Sequence, residues 1–318
     1  MKLYKKTAPV LILTLLIVLL TGCASQQDPP GGQDQPAAAP EDKSFSFTDM
    51  MDREITLDGP ATRIVALTAA DCEILYALGA GDTLVGRGEY CDWPAEVQNV
   101  PVVQSGSDTN IEQIIALKPQ VLLMSAMAQT KEQIASLENA GIRVVVSNAR
   151  DIAGVYDAIE MLGTLLGKDQ EAGTLIDGMK ETFAEVSAQA KANEGKSVYF
   201  EVSPLEWGLW AAGTDTFMDE ISQMLGLTNV FADMSGWGEI SEEQVIERAP
   251  DYIVTIAMYF GEGPSPEEEI AARPGWEKIP AVVNGDILNL ANDELSRPGP
   301  RLADGAKMLF DFLQGGNP

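Results

Sequence analysis

The chain has 318 residues, 45% of them hydrophobic and 22% charged, proportions typical of a globular protein with about two domains. Its 48 acidic and 21 basic side chains give a formal charge of −27, which would repel a nucleic acid and excludes that class of partner. The sequence contains no histidine, so histidine-based catalytic triads and imidazole zinc sites are excluded as well.

The first 22 residues have the pattern of a secretion signal. Three lysines precede an apolar run over residues 8–20, which is too short to span a bilayer as a mature helix but suits a signal peptide. The run ends in Leu-Thr-Gly-Cys at residues 20–23, which resembles the lipobox of bacterial lipoproteins. We therefore predict export, removal of residues 1–22, and an anchor to the outside of the cell membrane through lipidated Cys23.

A tether follows the predicted anchor. Residues 24–44 contain four prolines and no valine, isoleucine or leucine, so they cannot bury apolar surface. We predict a disordered, lipid-anchored tether over residues 23–44. The negative charge of the remaining chain predicts a soluble monomer.

The globular pattern begins at Phe45. Residues 45–48 alternate as in a strand, residues 63–67 predict a short buried strand, and residues 71–79 predict a helix closed by Gly79.

Two signatures of this region return later in the chain. The helix motif Glu-Ile-x-x-x-Leu-Gly occurs at residues 73–79 and again at residues 220–226. A helix, a proline and a buried strand follow one another at residues 111–123 and again at residues 242–254. Because both pairs occur in the same order, we predict a duplicated α/β lobe. Chance similarity between ordinary helix–strand units is the alternative.

A long helical region separates the two copies. Residues 152–166 predict one helix, and apolar residues at three- and four-residue steps predict a second over residues 169–193. The second would contain about 25 residues and be about 37 Å long. Such a helix can hold two lobes at a fixed separation.

The predicted organisation is therefore an N-terminal lobe at residues 45–150, bridging helices at 151–194 and a C-terminal lobe at 195–318. The last lobe opens with a strand at residues 197–202 and closes with an amphipathic helix at 302–313. The cleft between two lobes is the expected ligand site.

Six motifs, in order over residues 45–314 apart from the lipobox, resemble the substrate-binding proteins of ABC importers for ferric siderophores, haem and cobalamin. They are the lipobox, residues 70–82, Tyr90-Cys91-Asp92-Trp93-Pro94, Asn110-Ile111-Glu112 with Leu117-Lys118-Pro119, Gly236-Trp237-Gly238 and Arg297-Pro298-Gly299-Pro300-Arg301. The resemblance implies the class III binding-protein fold, two related α/β lobes joined by a single long backbone helix. It implies a protein that is not an enzyme, has no resident cofactor or metal, and delivers a metal chelate to a permease and its ATPase.

The resemblance also implies ligand-binding residues. Five positions match cleft residues of the cobalamin-binding members: Tyr90, Trp210, Trp237, Asp293 and Arg297. Aromatic faces with polar groups at the rim suit a planar macrocycle. Two further tryptophans of those members are replaced here, around residues 104–106 and near residue 125, which weakens the corrinoid hypothesis. Trp207 and Trp276 are interpreted chiefly as core residues.

Two other classes of chelate remain alternative ligands. An anionic ferric siderophore would use arginines, for which Arg297, Arg301 and Arg87 are candidates. Haem would need an axial ligand, for which Tyr90, Tyr259, methionine or cysteine remain. Corrinoid and ferric siderophore rank level, and haem ranks third.

Glutamates at matching positions of the two copies are the expected permease contacts. In the family that this chain resembles, one glutamate on each lobe docks into arginine pockets of the permease, and the matching residues are Glu112 and Glu243. The alternative is that both are ordinary first-turn glutamates favoured by the helix dipole.

Two cysteines remain beyond Cys23. Cys72 and Cys91 form an even pair in an exported chain, so a disulfide and two free buried thiols are both open.

Two other function classes are weighed. A surface sensor or adhesion lipoprotein of the same fold is one alternative, and a secreted hydrolase with a carboxylate pair is a weaker one. No Gly-x-Ser-x-Gly elbow or Walker loop is present in the sequence.

Overall fold

The computed structural model describes residues 45–106, 109–126, 131–259, 261–290 and 294–315. The predicted signal peptide, Cys23, the tether and Asp293 lie outside these residues. Residues 43–318 form one compact unit. Within the described part of the chain, no helix has both the length and the apolar character needed to cross a membrane.

The N-terminal half contains a hairpin and a parallel sheet. Strands β1 (Phe45–Thr48) and β2 (Glu54–Leu57) pair antiparallel. A four-stranded parallel sheet in the order β4-β3-β5-β6 follows. Its elements are β3 (Ile64–Ala66), α1 (Ala69–Ala77), β4 (Leu84–Arg87), α2 (Ile111–Leu117), β5 (Val121–Met124), α3 (Lys131–Asn139) and β6 (Arg143–Val146). Because the strands are parallel, the loops that leave their carboxyl ends meet at one edge of the sheet.

Two helices connect this half to the next. Helix α4 (Ile152–Leu166) has the predicted bounds, but α5 (Asp169–Ser187) has 19 residues and is about 28 Å long, shorter than the 25 residues predicted. The last buried apolar residue of α5 is Val186, so beyond it the helix has no face to bury. The chain then forms a separate turn, Ala190–Asn193, in which the Asn193 amide donates to the carbonyl of Leu225 at 2.8 Å.

The C-terminal half is a six-stranded mixed sheet. Its main path is β10-β8-β7-β11-β12, with β9 also paired to β7. Its elements are β7 (Ser197–Ser203), β8 (Trp210–Ala212), α6 (Phe217–Met224), β9 (Thr228–Asn229), β10 (Trp237–Glu239), α7 (Glu242–Arg248), β11 (Tyr252–Thr255), α8 (Pro266–Ala271), α9 (Pro280–Asn284), β12 (Ile287–Asn289) and α10 (Leu302–Leu313). Strands β7, β11 and β12 are parallel, so the loops after them also share one edge.

The helix ends repeat between the halves. Thr68 caps α1 and Thr216 caps α6, each hydroxyl accepting from the backbone N–H of an aspartate three residues later. Helices α2 and α7 both have seven residues, and both end at a left-handed residue followed by a proline. These left-handed residues are Lys118, with φ 50°, and Ala249, with φ 45°. The threonine caps and the left-handed helix ends add structural support to the predicted duplication.

One hydrophobic core joins the halves. A single cluster of buried apolar side chains takes residues from both sheets and from α4, α5 and α10. Helix α5 packs against both α4 and α10. A rotation of one sheet against the other would have to break this packing, which costs apolar burial.

The left-handed conformation at Ala249 gives a stability prediction. Because a β-carbon disfavours positive φ, Ala249→Gly should raise the free energy of unfolding by about 1 kcal/mol. Ala116→Gly, in the body of α2, is the matched control and should lower it by about 1 kcal/mol. Urea unfolding of the two variants measures both. Equal destabilisation by both changes would contradict the prediction.

Candidate functional site

Exposed aromatic side chains cluster at the carboxyl edges of the two sheets. In the described part of the chain, five aromatic residues are exposed: Tyr90, Trp93, Trp207, Trp210 and Tyr259. The first two lie after β4, the next two at and after the end of β7, and the last after β11. Exposed aromatics that gather at one kind of location mark a binding surface more strongly than aromatics scattered singly.

The N-terminal half contributes a small cavity. Its volume is about 260 Å³, and residues after β3, β5 and β6 line it together with residues 296–298. Four of its ten lining residues carry hydroxyl groups, namely Thr68, Ser125, Ser147 and Ser296, while alanines and a proline make much of the rest apolar. The cavity therefore offers hydrogen-bonding groups at the carboxyl edge of the first sheet.

The C-terminal half contributes a larger cavity. Its volume is about 690 Å³, and it lies between the loop after β7, the loop after β11 and residues 262–269. Trp207, Met258 and Tyr259 provide apolar and aromatic surface, while Glu206 and Glu262 provide carboxylates. This lobe-two cavity can hold an apolar ring with polar groups at its margin.

A buried ion cluster supports the wall of the lobe-two cavity. The Arg273 guanidinium contacts the Glu201 and Glu269 carboxylates, each at 2.6 Å, and the Tyr199 hydroxyl also donates to Glu201. Burial raises the pKa of the Glu201 carboxyl, and the hydrogen bonds from Arg273 oppose that rise. Since Arg273 and Glu201 are each 1% exposed in their side chains, the cluster holds the β7 end rigidly and leaves no charge from Arg273 for a ligand.

A second ion cluster holds two of the predicted arginines. Arg297 contacts Glu73 at 2.9 Å and Asp92 at 2.8 Å, and Arg301 contacts Glu73 at 3.1 Å. Arg301 also contacts Glu294 at 2.8 Å, with its guanidinium 4.6 Å from the centre of the Trp93 ring. Both guanidinium groups are thus directed to protein carboxylates.

The third predicted arginine supports a loop. The Arg87 guanidinium is buried and donates to the backbone carbonyls of Gly88, Cys91 and Val100. These bonds fix the path of the loop that presents Tyr90 and Trp93. Arg87 therefore acts through the backbone in this structure.

The remaining predicted ligand residues differ in exposure. Trp210 is 40% exposed, whereas Trp237 is half-buried on β10 and packs on Phe217 with ring centres 5.7 Å apart. The Tyr90 carbonyl accepts from Arg297 at 3.4 Å, so these two residues lie together. Asp293 lies outside the described residues.

Two expectations for tryptophans had opposite outcomes. Trp276 is fully buried, as predicted, but Trp207 is 77% exposed, and its interpretation as a core residue is wrong. Trp207 lies in a short turn between Pro204 and Gly208, where the chain reverses from β7 to β8. A proline and a glycine so close together signal a loop, and that signal would have identified the residue.

Asp71 is a buried carboxyl next to the small cavity. Its Oδ2 accepts from the Thr68 hydroxyl, and its Oδ1 has no hydrogen-bond partner among the residues that the structure describes. Burial raises the pKa of Asp71 to about 6, and the hydrogen bond from Thr68 opposes that rise. Thr68 also lines the cavity, so Asp71 lies close behind its wall.

The equivalent aspartate of the second half is satisfied. Asp219 also follows a capping threonine, but its carboxylate accepts from the side-chain amides of Asn229 at 2.9 Å and Gln223 at 2.6 Å. The two copies therefore share the cap and differ in the environment of the carboxyl group.

Cys72 and Cys91 are both free and fully buried in this structure. Each sulfur lies 3.9 Å from the same carbonyl oxygen, that of Ala66. The pKa of the Cys72 thiol is raised, mainly by a hydrogen bond with Cys91 and secondly by burial. The two thiols thus lie close together, between α1 and the loop that carries Tyr90.

Glu112 and Glu243 are exposed and occupy equivalent first-turn positions on α2 and α7. The backbone N–H of Glu243 and the Ser241 hydroxyl lower the pKa of the Glu243 carboxyl. Each helix ends where the next strand begins, so its first turn points toward the carboxyl edge of its sheet.

Among the residues that the structure describes, no three cysteine, aspartate or glutamate side chains converge in a way that could hold a metal ion. Two α/β lobes that present loops at the carboxyl edges of their sheets, joined through α4 and α5, define a two-lobed solute-binding protein of class III.

The chain belongs to the periplasmic binding protein family, which it matches over residues 64–294. It is 33% identical over 309 residues to an uncharacterized ABC transporter substrate-binding lipoprotein, YvrC, of Bacillus subtilis, with 95% of each chain covered. It is 26% identical over 265 residues to a vitamin B12-binding protein of Vibrio cholerae, covering 80% of this chain and 90% of that one. A solved structure of a possible iron-binding, periplasmic solute-binding protein from Staphylococcus epidermidis is similar, with a TM-score of 0.66 and 31% identity. The match covers 80% of this chain and 99% of that one.

The unsatisfied carboxyl of Asp71 gives a pH prediction. A pKa raised from 3.8 to about 6 means that the folded state binds the proton more tightly than the unfolded state, so stability is lost as the pH rises through this range. Asp71→Asn should therefore raise the free energy of unfolding at pH 7.5, by up to about 3 kcal/mol, and this advantage should vanish by pH 4.

Asp219→Asn is the matched control, because it exchanges a satisfied acceptor for a donor and should destabilise the protein at pH 7.5. Chemical denaturation at both pH values measures the two variants. An Asp71→Asn effect that does not change with pH would show that the carboxyl is not the titrating group.

Proposed function

We propose that this chain is the extracytoplasmic substrate-binding component of an ABC importer, that it captures a corrinoid, and that it performs no catalysis. Membership of the periplasmic binding protein family supports the binding role, and the similar lipoprotein and vitamin B12-binding protein support the importer and the ligand class. The observation that carries the proposal is the concentration of exposed aromatic side chains at the carboxyl edges of both sheets. A planar macrocycle buries most of its faces against such rings.

The proposed organisation follows the predicted boundaries. Residues 45–150 and 195–318 are the lobes, residues 151–194 bridge them, and the ligand occupies the cleft between the lobes. The lipid on Cys23 and the tether over residues 23–44 hold a monomeric domain at the membrane, where it can meet the permease.

The charge of the proposed cleft favours a corrinoid over an anionic ferric chelate. Arg297 and Arg301 are already paired with carboxylates, and none of the described residues that line the lobe-two cavity is basic. A chelate with net negative charge would meet the carboxylates of that cavity and be repelled. A neutral corrinoid presents amide groups around its rim, and carboxylates accept hydrogen bonds from amide N–H groups.

The permease contacts are Glu112 and Glu243 in this proposal. Their equivalent exposed positions suit a partner that presents the same arginine pocket twice, since arginine and carboxylate form bidentate, charge-assisted pairs.

Calorimetric titration of residues 25–318 against cyanocobalamin, cobinamide, haemin, an anionic ferric catecholate and a neutral ferric hydroxamate tests the ligand. We expect saturable binding of a corrinoid and at least tenfold weaker binding to Trp210→Ala, because that change removes exposed ring surface at the end of β7. Tyr156→Ala, on α4 and away from the binding loops, is the control and should bind as the wild type does.

Other titration results would each reject a particular part of the proposal. Binding of a ferric hydroxamate alone would keep the importer role and reject the corrinoid. Tight binding of the ferric catecholate would reject the charge argument, and silence across the panel would reject a metal chelate as the ligand.

The docking glutamates have a separate test. Glu112→Ala combined with Glu243→Ala should leave cyanocobalamin affinity within twofold of the wild type and abolish uptake by cells that depend on this chain, because only the pairing with the permease is lost. Glu132→Ala combined with Glu267→Ala, two first-turn glutamates on α3 and α8, is the control and should keep uptake. A loss of cyanocobalamin affinity in the docking variant would contradict the assignment.

A further inference from the structure

Two exposed isoleucines occupy the same position in the repeated helices. Ile115 on α2 is 37% exposed, and Ile246 on α7 is 36% exposed. Each lies three residues after the candidate docking glutamate of its own helix, so carboxylate and isoleucine share one face of the helix.

These isoleucines are not the residues that attach each helix to the hydrophobic core. The helix is held to its sheet by the preceding residue, Ile114 in one copy and Val245 in the other, and both are fully buried. A single exposed isoleucine needs no explanation. Two exposed isoleucines at equivalent positions of repeated helices, with nearly equal exposure, indicate a shared role.

The two copies differ at other positions of the same helices. Ile111 of α2 stands opposite Glu242 of α7, and Leu117 opposite Arg248. The glutamate and the exposed isoleucine are the same in both copies. The copies also share a glutamine, Gln113 and Gln244, and they differ at the exposed position after the isoleucine, which is Ala116 in one copy and Glu247 in the other. The exposed glutamate and isoleucine are thus kept in both copies while the next exposed residue is not.

We propose that each lobe docks to the permease through a two-part contact, Glu112 with Ile115 and Glu243 with Ile246, in which the carboxylate pairs with a cationic group and the isoleucine enters an apolar contact beside it. This inference rests on the proposed importer role. The partner is thus defined by chemistry: it presents two equal sockets, each with an arginine or lysine next to apolar surface. A partner with two-fold symmetry has this property.

The two parts contribute differently. The ionic part is exposed and weakens as salt screens it, whereas the apolar part depends on the area removed from water and does not weaken with moderate salt. The isoleucines therefore account for affinity that survives at high ionic strength.

The test measures the complex between this chain and its cognate permease–ATPase complex, reconstituted in lipid nanodiscs. Ile115→Ser and Ile246→Ser should each weaken the complex about fivefold to tenfold, by similar factors, and the double variant by about the product of the two. The loss should persist at 0.5 M NaCl, whereas the loss in Glu112→Ala and Glu243→Ala should shrink.

Val283→Ser is the matched control. Val283 is 65% exposed and lies on α9, which ends just before β12 and so at the opposite, amino edge of the sheet. We expect no change in the complex for this variant. Cyanocobalamin affinity and thermal unfolding of all variants exclude an indirect effect through the ligand site or the fold.

The outcomes distinguish a failure of the isoleucine contact from a failure of the proposed docking by the glutamates. A double isoleucine variant that binds within twofold of the wild type, while the double glutamate variant fails to bind, would overturn the apolar contact alone. If neither double variant weakens the complex, the docking surface itself is wrong. Unequal effects of the two single isoleucine changes would reject the two equal sockets.

Discussion

The buried carboxylate of Glu73 is the interaction on which the arrangement of the binding edge depends. It lies on α1 and accepts from both Arg297 and Arg301, which belong to the segment before α10. Removing one member of such a buried cluster would leave an uncompensated charge, which costs about 3–5 kcal/mol. Glu73 therefore ties the end of the chain to its first lobe. Together with Asp92 and Glu294, Glu73 offsets the positive charge of both arginines, so that charge is already paired within the protein.

Duplication allows the proposed recognition and docking surfaces to be separate. Each copy supplies a sheet whose carboxyl edge bears loops of its own and a short helix that keeps an exposed glutamate and isoleucine. The loops can diverge, as the hydroxyl-lined cavity of one half and the aromatic, carboxylate-bearing cavity of the other show. The helices α2 and α7 keep the same length, a left-handed C-terminal residue and the same glutamate. A ligand without symmetry and a partner with two-fold symmetry would impose these different constraints.

Much of the fold could be predicted from the sequence, because local patterns define it. Helices α4 and α10 have the predicted bounds, and the repeated motifs indicated two related lobes. The candidate site is harder to predict from the sequence than the fold. Arg297 and Glu73 are 224 residues apart, and no local pattern shows that the guanidinium meets a carboxylate rather than a ligand. The sequence overestimates the length of α5, because it has no proline for several residues beyond Val186, although the apolar face of the helix ends there.

The difference between Asp71 and Asp219 shows how a shared motif comes to differ in chemistry. Both follow a capping threonine, and the cap fixes each carboxyl group below the carboxyl edge of its sheet. In the second half, Asn229 and Gln223 provide amide donors, so both oxygens of the carboxylate accept hydrogen bonds within the lobe. In the first half an oxygen of Asp71 stays unsatisfied, beside hydroxyls that line a cavity. Because an unsatisfied buried acceptor costs free energy, a donor that reaches this oxygen through the cavity wall would gain more than it could at the surface. A ligand rich in amide N–H groups has such donors, whereas an anionic chelate would add a further negative charge beside a carboxyl that already resists ionisation.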